Sequence, residues 1–122
     1  MFSFPVEVVL KGRDFAVTES VSVPVPEPSK WTDSSVRDVL VEILRTIGNV
    51  EQPKAPEDRV IVLRGFSWIV EPLGKDVVIA IEIPMGAAVA GPFAIPQADL
   101  DAKISRVLAL ERQLTTPPTT IH

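Results

Sequence analysis

The sequence predicts an α+β fold, an antiparallel sheet of about four strands with two helices on one face. Two observations carry this expectation. Two stretches alternate apolar and polar residues on either side of a Gly-X pair, the mark of a hairpin. Two others repeat apolar residues at helical spacing. The order is ββα-ββα in a chain of 122 residues, the size of one domain. Residues 1–114 read as that domain and 115–122 as a disordered tail.

The first hairpin turns at Gly12-Arg13. Glycine first in a two-residue loop suits a type II′ turn, whose first position needs positive φ. That turn sets Val8 against Val17, Val6 against Glu19, Phe4 against Val21 and Phe2 against Val23, with Leu10 against Phe15. One face is then apolar except for Glu19. The other pairs Val9 with Ala16, Glu7 with Thr18 and Ser3 with Ser22. A slip of one residue would destroy the segregation, so the register is well specified. Pro5 lacks an N–H, which places the first strand at an edge or makes it start late.

Pro24 to Pro28 reads as stiff, extended chain. Trp31 then precedes a helix from about Ser34 to Ile47, where it suits either a staple against the helix start or an interface; the staple is the preferred reading. Asp33 or Ser34 is the expected N-cap and Gly48-Asn49 the expected stop. Val36, Val39, Leu40, Ile43, Leu44 and Ile47 form its apolar stripe. Glu51 to Arg59 reads as exposed linker. Val60 to Leu63 reads as the beginning of the next strand, with Gly65 as a bulge or bend.

The second hairpin turns at Gly74-Lys75 and sets Val70 against Ile79, Trp68 against Ile81 and Phe66 against Ile83. Its other face pairs Glu71 with Val78, Ile69 with Ala80 and Ser67 with Glu82. Met85 to Ile95 carries no charge and reads as a loop, either folded over the sheet edge or held against another chain. The second helix, from about Gln97 to Leu114, places Leu100, Ile104, Val107, Leu108, Leu110 and Leu114 on a face broader than one sheet needs. Matching turns and prolines raise the idea of an internal repeat, with two ordinary hairpins sharing common turn residues as the preferred reading. The expected core comprises Val6, Val8, Leu10, Val17, Val21, Leu40, Ile43, Leu44, Ile47, Trp68, Val70, Ile79, Ile81, Leu100, Ile104, Val107 and Leu108.

Composition narrows the chemistry. There is no cysteine or tyrosine, and the single histidine is the last residue, His122. A thiolate nucleophile, a Cys-ligated zinc and a triad built on an internal histidine are therefore absent from this chain. The net charge is −4 with no basic stripe, which disfavours nucleic acid and anionic membrane surfaces. Gly86 and Gly91 lie in a stretch without lysine, so no phosphate loop is read there. No carboxylate cluster has metal spacing, and neither metal nor cofactor is expected. Met1 to Leu10 lacks a basic n-region and a small-residue cleavage site, so a cytoplasmic protein is expected.

These features lead to a non-catalytic protein–protein interaction or self-association module, with a homodimer as the expected state and an unknown protein partner as a further option. Candidate interface residues are Met85, Val89, Phe93, Leu110 and Leu114. The mean hydropathy of +0.26 points the same way. The alternative is a small-molecule binding domain with an apolar pocket between sheet and helices and Glu19 as its polar handle. Glu19 at the sheet margin, reaching water or a basic partner, is the plainer reading of that residue.

Overall fold

Both hairpins form in the expected registers. The computed structural model describes residues 1–54 and 60–115, with the side chains of 114 and 115 excepted. Strand β1 (Phe2–Leu10) pairs with β2 (Ala16–Val23), and β3 (Ser67–Leu73) pairs with β4 (Asp76–Ile83). Val8 faces Val17, and Trp68 faces Ile81. Gly12 and Gly74 sit at φ +83° and +63°, the left-handed region that their turns require. The first ladder stops at Val9–Ala16 beside a turn closed by the Arg13 N–H on the Leu10 carbonyl at 3.1 Å, so the expected two-residue Gly12-Arg13 loop does not form and Leu10–Phe15 does not pair. The second keeps its Gly74-Lys75 turn and lacks only the far pair, Phe66–Ile83.

The expected loop at Met85–Ile95 is instead a fifth strand, β5 (Gly86–Phe93). It follows β4 through a turn at Pro84-Met85 and pairs with β4 on one side and β1 on the other. The sheet order is β2-β1-β5-β4-β3, antiparallel throughout, with β5 at the centre. The observed order, ββα-βββα, departs from the suspected repeat. β1 is therefore an inner strand rather than an edge. Pro5 is tolerated because the pairing with β5 begins only at Val6, leaving β1 open on that side before it.

Helix α1 (Asp33–Glu51) packs over β2, β1 and β5, and α2 (Gln97–Thr115) over β3, with the helices also against each other. The N-cap of α1 is Thr32, not Asp33 or Ser34. The Ser35 N–H donates to Thr32 Oγ1 at 3.2 Å, and the Thr32 N–H donates to Ser35 Oγ at 3.1 Å. This reciprocal box satisfies two donors at once, more than either expected cap achieves. The helix continues through Gly48 and Asn49 to Glu51. A single glycine costs a helix only about 1 kcal/mol, which tertiary packing absorbs. Val60 to Leu63 is not strand, and Gly65 bends the chain at φ +79° just before β3. Thr115, expected in the tail, ends α2. Residues 55–59 of the linker and 116–122 of the tail lie outside the described residues.

The core lies between the helices and one face of the sheet. Thirteen of the seventeen expected core residues are buried; Val17, Leu44, Trp68 and Leu108 are half-buried. The space is filled by Leu40, Ile43 and Ile47 of α1, Leu100 and Ile104 of α2, and Ile79, Ile81 and Phe93 of the sheet. A shift of register between Val77 and Ile79 turns Phe93 inward. Its ring centroid lies 5.1 Å from those of both Phe4 and Trp31. Trp31 is 4% exposed, and its indole N–H donates to the Pro26 carbonyl at 2.7 Å. It therefore anchors the proline segment to the sheet in addition to preceding the helix, and it offers a partner no surface.

Candidate functional site

The opposite face of the sheet carries no helix. Alternation along each strand decides what it presents. β1 turns Phe4, Val6, Val8 and Leu10 inward and Ser3, Pro5, Glu7 and Val9 outward. β5 turns Ala88 and Ala90 inward and Ala87 and Val89 outward. The ladder registers align the outward residues in rows across the strands. One row runs Thr18, Glu7, Val89, Ala80, Ile69, and the next runs Ala16, Val9, Ala87, Glu82, Ser67.

The middle of this face is apolar and recessed. Val9, Val89 and Ile69 are exposed at 44%, 42% and 52%, large values for aliphatic side chains in a sheet. Between them, Ala80 and Ala87 provide no side chain beyond a methyl, which leaves a depression of about 360 Å³. It shares Ser67, Glu82 and Ala87 with a larger trough of about 640 Å³ that reaches the end of the sheet at Lys11, Phe66 and Pro84. Together they form one shallow channel over the open face.

Charge is distributed unevenly. None of the five strands contains a lysine, arginine or histidine, so all twelve Lys and Arg residues lie outside β1–β5. Glu7, Glu71 and Glu82 project from the open face, and among the described residues none of them makes an ion pair. On the helical side, Arg37 meets Glu111 at 2.5 Å, Arg45 meets Glu42 at 3.2 Å and Arg106 meets Asp33 at 2.9 Å. The paired hydrogen bonds from Arg106 hold the Asp33 carboxyl below its ordinary range, and Asp33 holds Arg106 above its own.

The candidate residues from the sequence fall in different places. Val89 lies at the centre of the open face, and Met85, 45% exposed, lies in the turn leading into β5. Phe93 is fully buried and belongs to the core, so it is unavailable to an interface; the register shift that turns it inward was not visible in the alternation. Leu110 is 56% exposed on α2, away from the open face, and the Leu114 side chain lies outside the described residues. Glu19 is exposed on the edge strand β2. It lines a depression of about 320 Å³ between β2 and α1 with Glu42, Thr46 and Asn49, a mostly polar space at the sheet margin rather than an apolar pocket. The residues missing from the sequence reading are Val9, Ile69, Ala80 and Ala87. The outward pairs Val9–Ala16 and Ile69–Ala80 were the available signal, but without β5 between them they read as unrelated margins.

Among the described residues, no group of three or more His, Cys, Asp or Glu could hold a metal, and no helix is long and apolar enough to cross a membrane. No family model matches the chain, and no solved structure matches it. A stretch of 55 residues is 40% identical to part of Monocarboxylate transporter 10 of Rattus norvegicus. The match covers 45% of this chain and only 10% of the transporter.

Proposed function

We propose that the protein is a non-catalytic interaction module whose working surface is the open face of the sheet. The observation that carries this reading is the recessed apolar patch formed by Val9, Ile69, Ala80, Ala87 and Val89 on the face left free of helices. Contiguous apolar surface on a sheet is a feature that soluble domains keep for binding. A second copy of the chain, the homodimer expected from the sequence, and a different protein are both occupants of suitable apolar chemistry. A cytoplasmic setting accompanies this reading.

The small-molecule alternative has a site in the trough of about 640 Å³, a volume within the range of ligand pockets. Its continuity with the second depression favours an extended occupant over a compact one. The test places the photo-crosslinking residue p-benzoylphenylalanine at Val89 or, as a control, at exposed Ser105 on α2, and irradiates cells producing the full chain. Adducts to a second copy or another protein are expected at position 89, with several-fold weaker yield at 105. Equal yields at the two positions, or none at 89, overturn the reading.

A further inference from the structure

We propose that the occupant of the open face is a basic amphipathic segment of another protein, seated by a narrow apolar stripe over Ala80 and Ala87 and held by lysines or arginines at Glu7, Glu71 and Glu82. This inference rests on the reading of that face as an interaction surface and adds the chemistry of the partner.

In the two aligned rows, Glu7 lies beside Val89 on the β1 side of the central strand, and Glu82 lies beside Ala87 on the β4 side. Glu71 is outward on β3, opposite Val78. Glu82 thus lines the channel where its two depressions join, and Glu7 and Glu71 lie next to its apolar walls at Val89 and Ile69. No basic side chain answers them from any strand; Lys11 follows β1 at the rim of the trough, and Lys75 lies in the β3–β4 turn. Carboxylates beside an apolar patch repel an acidic partner as desolvation begins, and attract a basic one from a distance of about a Debye length, ~8 Å at physiological salt.

A second copy fits this surface poorly in either orientation. Face to face, it would bring two sets of like-charged glutamates into one interface, where such juxtaposition is unfavourable. Helical side to open face, three of the basic side chains it would offer, Arg37, Arg45 and Arg106, already engage Glu111, Glu42 and Asp33. The narrowness of the stripe follows from the floor. Methyl groups at positions 80 and 87 between Val9, Val89 and Ile69 form a channel rather than a plane. A channel of this kind accepts one row of apolar side chains, with long basic side chains spreading over its walls.

The test uses the full chain and two helical peptides of equal length and equal apolar pattern, one built from Leu and Lys and the other from Leu and Glu. In ¹⁵N–¹H spectra the Leu/Lys peptide is expected to shift the amides of Val9, Ile69, Ala87 and Val89. The Leu/Glu peptide is expected to leave them in place. Replacing Glu7, Glu71 and Glu82 together by Gln should weaken the Leu/Lys peptide about tenfold without changing the fold, since all three side chains are exposed. Ile69→Ser should weaken it through the apolar half of the site. Equal binding of the two peptides, or shifts centred on Glu19 and Glu42, overturns the inference. A sedimentation mass showing a dimer that Ile69→Ser dissociates and the triple Gln variant strengthens assigns the face to a second copy, which overturns the basic partner and leaves the interaction surface standing. A monomer with no shift on this face from either peptide overturns both.

Discussion

The two sides of the sheet treat the same chemistry in opposite ways. On the helical side, large aliphatic and aromatic side chains interlock, and the charges at the rim meet partners: Arg37 with Glu111, Arg45 with Glu42, Arg106 with Asp33. On the open side, the side chains at the centre shrink to Ala80 and Ala87, aliphatics stay exposed, and Glu7, Glu71 and Glu82 have no such partners among the described residues. The difference separates two uses of a single sheet. One face is satisfied by its own chain. The other is incomplete in both volume and charge, and both deficits fit one kind of occupant.

The sharpest way to test the contrast is to make matched changes on the two faces of β5. Phe93→Ala on the core side should cost about 3–5 kcal/mol of unfolding free energy, because it empties a fully buried ring site. Val89→Thr on the open side should stay within about 0.5 kcal/mol, as exposed substitutions usually do. Urea denaturation of both variants measures the difference; similar losses would mean that the open face is packed in the isolated chain. A smaller effect of about 1 kcal/mol is expected from Thr32→Ala, which removes the cap that starts α1. Thr32→Ser should retain most of that stability in the same denaturation experiment.

The smallest effect concerns the paired charges of the helical side. Asp33 has its pKa lowered in the folded chain, chiefly by the hydrogen bonds from Arg106. Its contribution is therefore complete above the ordinary value of 3.8 and is lost as the pH falls through the lower folded value. Thermal melts of wild type and Asp33→Asn should show a slight gap at pH 7 that closes below pH 3.8 and narrows in high salt. A gap that persists in acid would assign the effect to something other than the carboxylate charge.

What could be read in advance depended on how strongly each local signal was determined by backbone chemistry. The hairpin registers were legible because a glycine turn and a two-residue alternation agree at every pair from Phe2–Val23 to Val9–Ala16. Strand β5 was hidden by its own composition. Alanine and glycine are poor strand formers, and the Pro84-Met85 turn carries neither glycine nor asparagine to announce it. The missing strand hid the site as well. Val89 is a candidate in the sequence only as part of a loop; the pairing of β5 with both β1 and β4 brings Val9, Glu7, Ala80 and Ile69 around it. Phe93, read as part of the same loop, goes into the core because β5 forms and its register shifts opposite Val77, and neither feature has a signature in the sequence.

The central place of β5 also bears on how the chain is made. Leu10 pairs with Gly86, and Val6 with Ala90, so the central strand and its neighbour β1 come from opposite ends of the domain. During vectorial synthesis the first hairpin and α1 emerge long before the strand that completes them. Until then, the β1 edge that later receives β5 stands unpaired. Pairings between distant segments slow folding, because loop-closure entropy must be overcome before the contacts repay it. The sheet can thus be completed only after β5 has emerged, and a nascent chain arrested before Gly86 presents an unpaired strand edge of the kind that chaperones shield.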